Sequence, residues 1–273
     1  MEPETLQRSH KEWREQWSLF KDDERFLFEE WIAPRTLEDF RDRTVLECGA
    51  GGGQHTAFVA AVARHVTAVD LNTVDLARQR NAGAANVRFI EADIEALDLP
   101  ERFDVVFCIG VIHHTDNPDR TFAAIRRHCK PGGLVIVWAY SAEGNALVRY
   151  LVEPARKLVF RHLPRPLLVR ISEVITAILY PLVYSVYLPR FTSFLPYHEY
   201  FRNFRRLGFR RNVLNVFDKL NAPQTHFITL ERCRRWFNAE AFEEQSISIS
   251  RYAGVSYSMS GITRRSPAGA GPR

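Results

Sequence analysis

The sequence predicts an α/β protein built on a doubly wound, mostly parallel, seven-stranded sheet. Three observations carry this. Short apolar runs alternate with helical stretches from Thr44 to Tyr140, the pattern of β-α-β units. One run, Phe103 to Ile109, is almost continuously apolar, as a strand buried on both faces must be. The first run ends in Gly49-Ala50-Gly51-Gly52-Gly53, a strand-to-helix turn at which the backbone can reverse sharply.

Taken in order, residues 5–33 read as helical, with Trp13, Trp17, Phe20, Phe28 and Trp31 forming an apolar stripe among charges;. Pro34 interrupts the pattern;. Val45–Cys48 is a strand, 52–64 a helix, His65–Asp70 a second strand and 73–82 a second helix. Val87–Glu91 is the third strand and Phe103–Ile109 the fourth. A helix follows at 118–128, then a turn at Pro131-Gly132-Gly133 and a fifth strand, Leu134–Ala139. The alternation stops at 143. Residues 143–211 are rich in Leu, Val, Tyr, Phe, Arg and Pro, with helical stretches near 145–160 and 166–188. An amphipathic helix is expected at 229–239, and a final strand pair at Glu244–Arg251 and Val255–Ile262 around Ala253-Gly254. This divides the chain into an N-terminal helical segment (1–43), an α/β core (44–142), a helical insert (143–211), the C-terminal part of the core (212–263) and a tail (264–273) expected to be disordered.

The composition, 46% hydrophobic and 25% charged over 273 residues, is that of a globular protein and excludes collagen-like, coiled-coil and wholly disordered chains. Four cysteines without C-x-x-C spacing argue against a disulfide framework or a zinc site and for a reducing compartment, the cytoplasm. No pattern of carboxylates asks for a metal. The charged N-terminus lacks the apolar core of a signal peptide;.

Net charge is +5 but unevenly spread. Residues 147–211 hold twelve Lys and Arg against three Glu, a net of +9. Such a segment suits an anionic ligand, a phosphate-bearing substrate or the inner membrane surface, and a solvated rim explains it nearly as well. Leu167–Leu188 approaches the length of a membrane span;. Arg170 and Glu173 lie inside it and Pro181 is expected to break it. A packed helix pair in the insert is therefore preferred to a helix lying on a membrane, and that to a true span.

The glycine loop fits dinucleotides and other adenosyl ligands alike. Asp70 ends the second strand, where a carboxylate can accept from both hydroxyls of an adenosyl ribose. Asp93 follows the third strand, placed for the adenine edge. After Gly49-x-Gly51, however, the G-x-G-x-x-G fingerprint of a dehydrogenase finds Gln54 where its third glycine belongs.

The set resembles the class I S-adenosylmethionine (SAM)-dependent methyltransferases, in their small-molecule branch. Glu47-Cys48-Gly49-Ala50-Gly51-Gly52-Gly53 is similar to their first motif, Val69-Asp70-Leu71 to the ribose motif, and Glu91-Ala92-Asp93-Ile94 to the adenine motif. Phe103 to His114 resembles their fourth motif, and Lys130-Pro131-Gly132-Gly133 the turn before their fifth strand. The resemblance implies a Rossmann-like fold, SAM as cofactor, and transfer of a methyl group to an O, N or C atom of a small-molecule or lipid-like acceptor. Glu47 belongs to the implied cofactor set. Gly49, Gly51 and Gly53 would approach the methionine part; Asp70 and Leu71 would meet the ribose; Asp93 and Ile94 would meet the adenine. Ile109 and Gly110 would offer backbone to the amino-acid end.

His113 and His114 fall where the methyl should emerge, and either could take the acceptor's proton. His226, in Pro223–Phe227, is a third candidate. Tyr140 and Tyr197–Tyr200 could face the acceptor, with the insert capping the site. A non-catalytic SAM-fold protein and a nucleic-acid methyltransferase are the alternatives. The intact glycines and Asp70 argue against the first. Against the second stands Gly110-Val111-Ile112-His113 in place of an Asn/Asp-Pro-Pro-Tyr/Trp motif.

Overall fold

The computed structural model describes residues 3–20 and 22–265. The strands are β1 (Thr44–Cys48), β2 (His65–Asp70), β3 (Val87–Glu91), β4 (Phe103–Ile109), β5 (Cys129–Tyr140), β6 (Ser248–Tyr252) and β7 (Ser256–Ile262). They form one seven-stranded sheet in the order β3-β2-β1-β4-β5-β7-β6. Pairings from β3 to β5 are parallel, and β7 runs antiparallel to both its neighbours. This is the expected Rossmann-like, doubly wound sheet. Its strand order reverses between β1 and β4, which opens a crevice at the carboxyl ends of those strands.

Side chains alternate between two cores because successive Cβ atoms point to opposite faces. Leu46, Val106, Cys108, Val135 and Val137 face one way and pack with Phe122, Ile125 and Trp236. Val45, Val105, Phe107, Ile109 and Ile136 face the other and pack with Phe28, Phe40 and Val59. Helices α3 (Gln54–Ala60), α4 (Val74–Arg80), α5 (Pro118–Arg127) and α10 (Leu230–Trp236) flank the sheet.

Two expectations about the core shift in detail. Strand β5 begins at Cys129, five residues before the expected Leu134, so Lys130–Gly133 is a bulge within it: Phe103 pairs with Cys129, and Val105 already with Leu134;. Lys130 Nζ reaches Asp104 Oδ1 at 2.7 Å, and Asp104 also accepts from Thr44 N and Oγ1. Burial alone would raise the Asp104 pKa, but those bonds bring it down to about 2;. The first part of the expected sixth strand is a short 3-10 turn, Glu244–Ser246.

The N-terminal stretch expected as one helical run is two helices, α1 (Pro3–Leu19) and α2 (Arg25–Ile32). The insert holds α6 (Glu153–Leu158), preceded by a π-helical turn, then α7 (Arg165–Ser185), α8 (His198–Phe204) and α9 (Phe209–Asn221). The helical segment therefore runs ten residues past the expected boundary at 211. Its own core joins Leu168 to Val213, Leu214, Phe217 and Leu220, with Phe20 from the N-terminal segment.

Pro181 lies inside α7 and does not break it. The carbonyl deprived of its amide partner is that of Ala177, on the exposed side of the helix, where water can satisfy it;. On the inner side, Ser172 and Thr176 bond back to Leu168 O and Ser172 O. Being small and self-satisfied, they let α7 lie close against α9.

Several arginines of the insert form ion pairs with the N-terminal segment and within the insert. Arg165 binds Glu12 and Glu15, Arg211 binds Asp22, and Arg206 binds Glu30. Arg156 and Lys157 share Glu153. The N-terminal segment and the insert thus form one cap over the crevice. Of the tail expected to be disordered, residues 266–273 lie outside the described residues.

Candidate active site

A cavity of about 380 Å³ occupies the crevice between the sheet and the cap. Gly49, Gly51, Asp70, Leu71, Asp93 and Ile94 line one part of it, and Ile109, Gly110 and His114 line another. Nine of the residues expected at the site are thus brought to one space.

The glycine loop is built by necessity. Gly49 has φ +93°, and a Cβ there would come within 2.3 Å of Val111 Cγ2;. Gly51 has φ +53°, and its Cβ would meet the Trp17 indole at 2.9 Å. Trp17 therefore roofs the loop. Asp70 Oδ2 accepts from Gly51 N at 2.8 Å, and Oδ1 from Asn72 N and Thr73 N at 3.2 Å. The carboxylate is held in place on the cavity wall by three backbone amides. Asp93 Oδ1 accepts from Glu95 N in the same manner.

Four expected residues do not line the cavity. Glu47 is buried behind it and accepts from Thr56 Oγ1; burial pushes its pKa up to about 8. It fastens the first turn of α3 to β1. Gly53 caps α3 against Ala77 and Asn81, whose Nδ2 donates to Gly53 O. His113 is fully buried, and its Nδ1 has no partner among the described residues. His226 does not line the cavity either; its backbone N–H donates to His113 O at 2.7 Å. The signal that led to all four was sequence neighbourhood, which does not say which face a side chain takes.

His114 differs from its neighbours. Its Nδ1 lies 2.8 Å from Gln224 O. A carbonyl only accepts, so Nδ1 carries the proton and Nε2 keeps its lone pair. Burial lowers the His114 pKa, against a smaller opposing pull from Asp218. The ring is thus neutral with a basic nitrogen. Trp13 packs on it at 4.6 Å between centroids.

To Tyr140 and Tyr200, both expected near the acceptor, the cap adds residues that sequence reasoning missed. Tyr140 Oη donates to Asp218 Oδ2 at 2.8 Å, and Gln16 Nε2 donates to Asp218 Oδ1 at 3.2 Å. Burial, with Asp218 beside it, keeps the Tyr140 hydroxyl protonated. Lys219 Nζ sits 5.2 Å above the Tyr200 ring and 5.7 Å from that of Tyr140;. His55 also lines the cavity; burial against Phe28 and Trp31 pushes its pKa down to about 4. Asp218 and Lys219 carried one sequence signal, adjacent opposite charges on an amphipathic helical pattern, but nothing there linked them to Tyr140. Among the described residues no group of His, Cys, Asp and Glu could hold a metal ion.

A family model described as "Methyltransferase domain" matches residues 46–137. A ubiquinone biosynthesis O-methyltransferase of Pseudomonas putida is 30% identical over 140 residues, 50% of this chain and 59% of that protein. An uncharacterized protein of Synechococcus is 32% identical over 117 residues, 40% of this chain and 28% of that one. The chain spans less than two thirds of the length of either relative. Among solved structures, the N-methyltransferase NodS from Bradyrhizobium japonicum, in complex with S-adenosyl-L-homocysteine, superposes with a TM-score of 0.51. It covers 94% of this chain and 98% of its own, at 11% identity.

Proposed function

We propose that the chain is a class I SAM-dependent methyltransferase, as the match of residues 46–137 to a methyltransferase-domain model supports, and that it methylates an O, N or C atom of a small-molecule or lipid-like acceptor. One observation carries the reading. The cavity joins the Asp70 and Asp93 end to the His114, Tyr140 and Asp218 end beneath a single cap, so cofactor and acceptor can meet away from water.

The residues present fit SAM. Gln54, Thr73, Trp31 and Trp138 line the cavity, and each has a buried polar atom (Oε1, Oγ1 or an indole nitrogen) with no partner among the described residues. Polar atoms in that state call for a ligand's hydrogen bonds. Asp70 is the group to hold the ribose, Asp93 and Ile94 the adenine, and the backbone of Gly49, Gly51 and Gly110 the amino-acid part. When bound, the cofactor supplies an electrophilic methyl on a sulfonium. His114 Nε2 takes the acceptor's proton. The Asp218 carboxylate, oriented by Tyr140 and Gln16, accepts from an acceptor hydroxyl or amine and aligns it. Trp13 and Trp17 exclude water. The cytoplasm is the compartment assumed, and four free, buried cysteines support it.

The test is calorimetry with SAM and S-adenosylhomocysteine, followed by an acceptor screen scored by S-adenosylhomocysteine release, with lipid-linked and glycosylated substrates included. Micromolar binding and turnover on one acceptor class are expected. Tight NADH binding without SAM binding overturns the reading.

A further inference from the structure

Helix α7 presents two unlike faces. Leu168, Ser172, Thr176 and Val183 are buried against α9. Leu167, Val174, Ile178 and Leu182, spaced seven and then four apart, lie on the opposite side and face outward;. Ile178 is 67% exposed. Just beyond the helix, Phe191 and Phe194 are each 79% exposed. Large apolar side chains so concentrated on one face mark an interaction surface rather than a solvated one.

We propose that this outer face of α7, with Phe191 and Phe194, docks in the plane of an anionic lipid bilayer. The helix is long and apolar enough to cross a membrane, but its packed inner side rules that out without unfolding the cap. Lying flat is the arrangement that keeps α9 covered and sinks the other face into the headgroup boundary. Charge selects the occupant. The segment carries +9 net; Arg165, Arg206 and Arg211 spend their charge on acids of the N-terminal segment, and Arg156, Lys157 and Arg170 theirs on Glu153 and Glu173 within it. Exposed Arg190 and Arg202 of the same segment lie outside all of these pairs. A second copy of the chain would bring one such basic segment against another, whereas anionic headgroups complement it. The membrane's distance from the reaction is one helix: α9 carries Leu168's partners on one side and Asp218 on the cavity side. The docking adds a partner to the methyl-transfer reading and stands or falls separately from it.

The experiment is co-sedimentation of the full chain with vesicles of phosphatidylcholine containing a third phosphatidylserine, and with phosphatidylcholine alone. Wild type is expected to partition onto the anionic vesicles. The double variant Ile178→Glu, Phe191→Glu should lose at least tenfold in bound fraction while its S-adenosylhomocysteine affinity, measured in parallel, stays unchanged and certifies the fold. A Phe191→Cys variant labelled with an environment-sensitive fluorophore gives a second readout, since the four native cysteines are buried. A blue shift on adding anionic vesicles is expected. Equal partitioning of wild type and the double variant overturns the proposal. So does wild type staying in the supernatant, or a concentration-dependent dimer, seen by light scattering without vesicle binding, that the same substitutions abolish.

Discussion

The Tyr140 hydroxyl donates a 2.8 Å hydrogen bond to Asp218 Oδ2, tying the end of β5 to the inner face of α9 across 78 positions of sequence. The bond joins the sheet that supports the cofactor end of the cavity to the cap that shapes the acceptor end. Replacing Asp218 by Asn keeps the shape and removes the charge. Acceptor turnover should fall roughly 10- to 100-fold, the equivalent of one charge-assisted bond at about 1.5–3 kcal/mol. SAM affinity should stay within a factor of two. Calorimetry beside steady-state kinetics separates the two, and a loss of SAM binding equal to the loss of turnover refutes a role at the acceptor.

At the other end of the cavity, Asp70→Ala should weaken SAM and S-adenosylhomocysteine binding at least tenfold. The change removes a carboxylate that is held by Gly51 N, Asn72 N and Thr73 N and is worth roughly 1.5–3 kcal/mol to a ligand diol. Unchanged affinity in a titration would remove Asp70 from the ribose site.

For the proton, His114→Gln should lower turnover roughly 10²- to 10⁴-fold with little change in SAM affinity. Because burial lowers the His114 pKa below its ordinary 6.5, the reactive neutral ring is complete above that value. The rate should rise with pH through a midpoint below 6.5 and level off at neutral pH. A midpoint above 7, or the same profile in His114→Gln, assigns the proton elsewhere. His113 and His226, off the cavity wall, should give smaller losses when replaced.

Glu47 couples stability to pH. Its carboxyl ionises near 4.5 in the unfolded chain and near 8 in the fold, through burial. The unfolded chain therefore sheds the proton first as pH rises. The stability it lends is whole below 4.5 and drains away between 4.5 and 8. Glu47→Gln should flatten that slope and raise the melting temperature at pH 8.5 by several degrees, at about 2–4 °C per kcal/mol for a chain of this size. A melting curve that falls equally steeply with pH in the variant would show that another group carries the dependence.

What the sequence alone determined was the part governed by local rules. Strand and helix periodicity, a glycine loop with no room for a Cβ, and a carboxylate at a strand end are written in neighbouring residues, so the sheet, the loop and Asp70 were legible. Tertiary structure decided the rest. Whether His113, His114 or His226 reaches the cavity depends on which face of a short turn each takes, and only packing against Trp13 and Gln224 settles that. The basic excess of the insert looked like free surface charge, yet Glu12, Asp22 and Glu30 neutralise a part of it from some 150 to 190 positions away. Trp17 read as core stripe and became the roof over Gly51, because a helix with no sheet face left to cover buries its indole on the crevice instead. Asp218 had no legible partner, since ion pairs and hydrogen bonds between distant segments leave no periodic trace. They form only once burial makes an unpaired polar group costly.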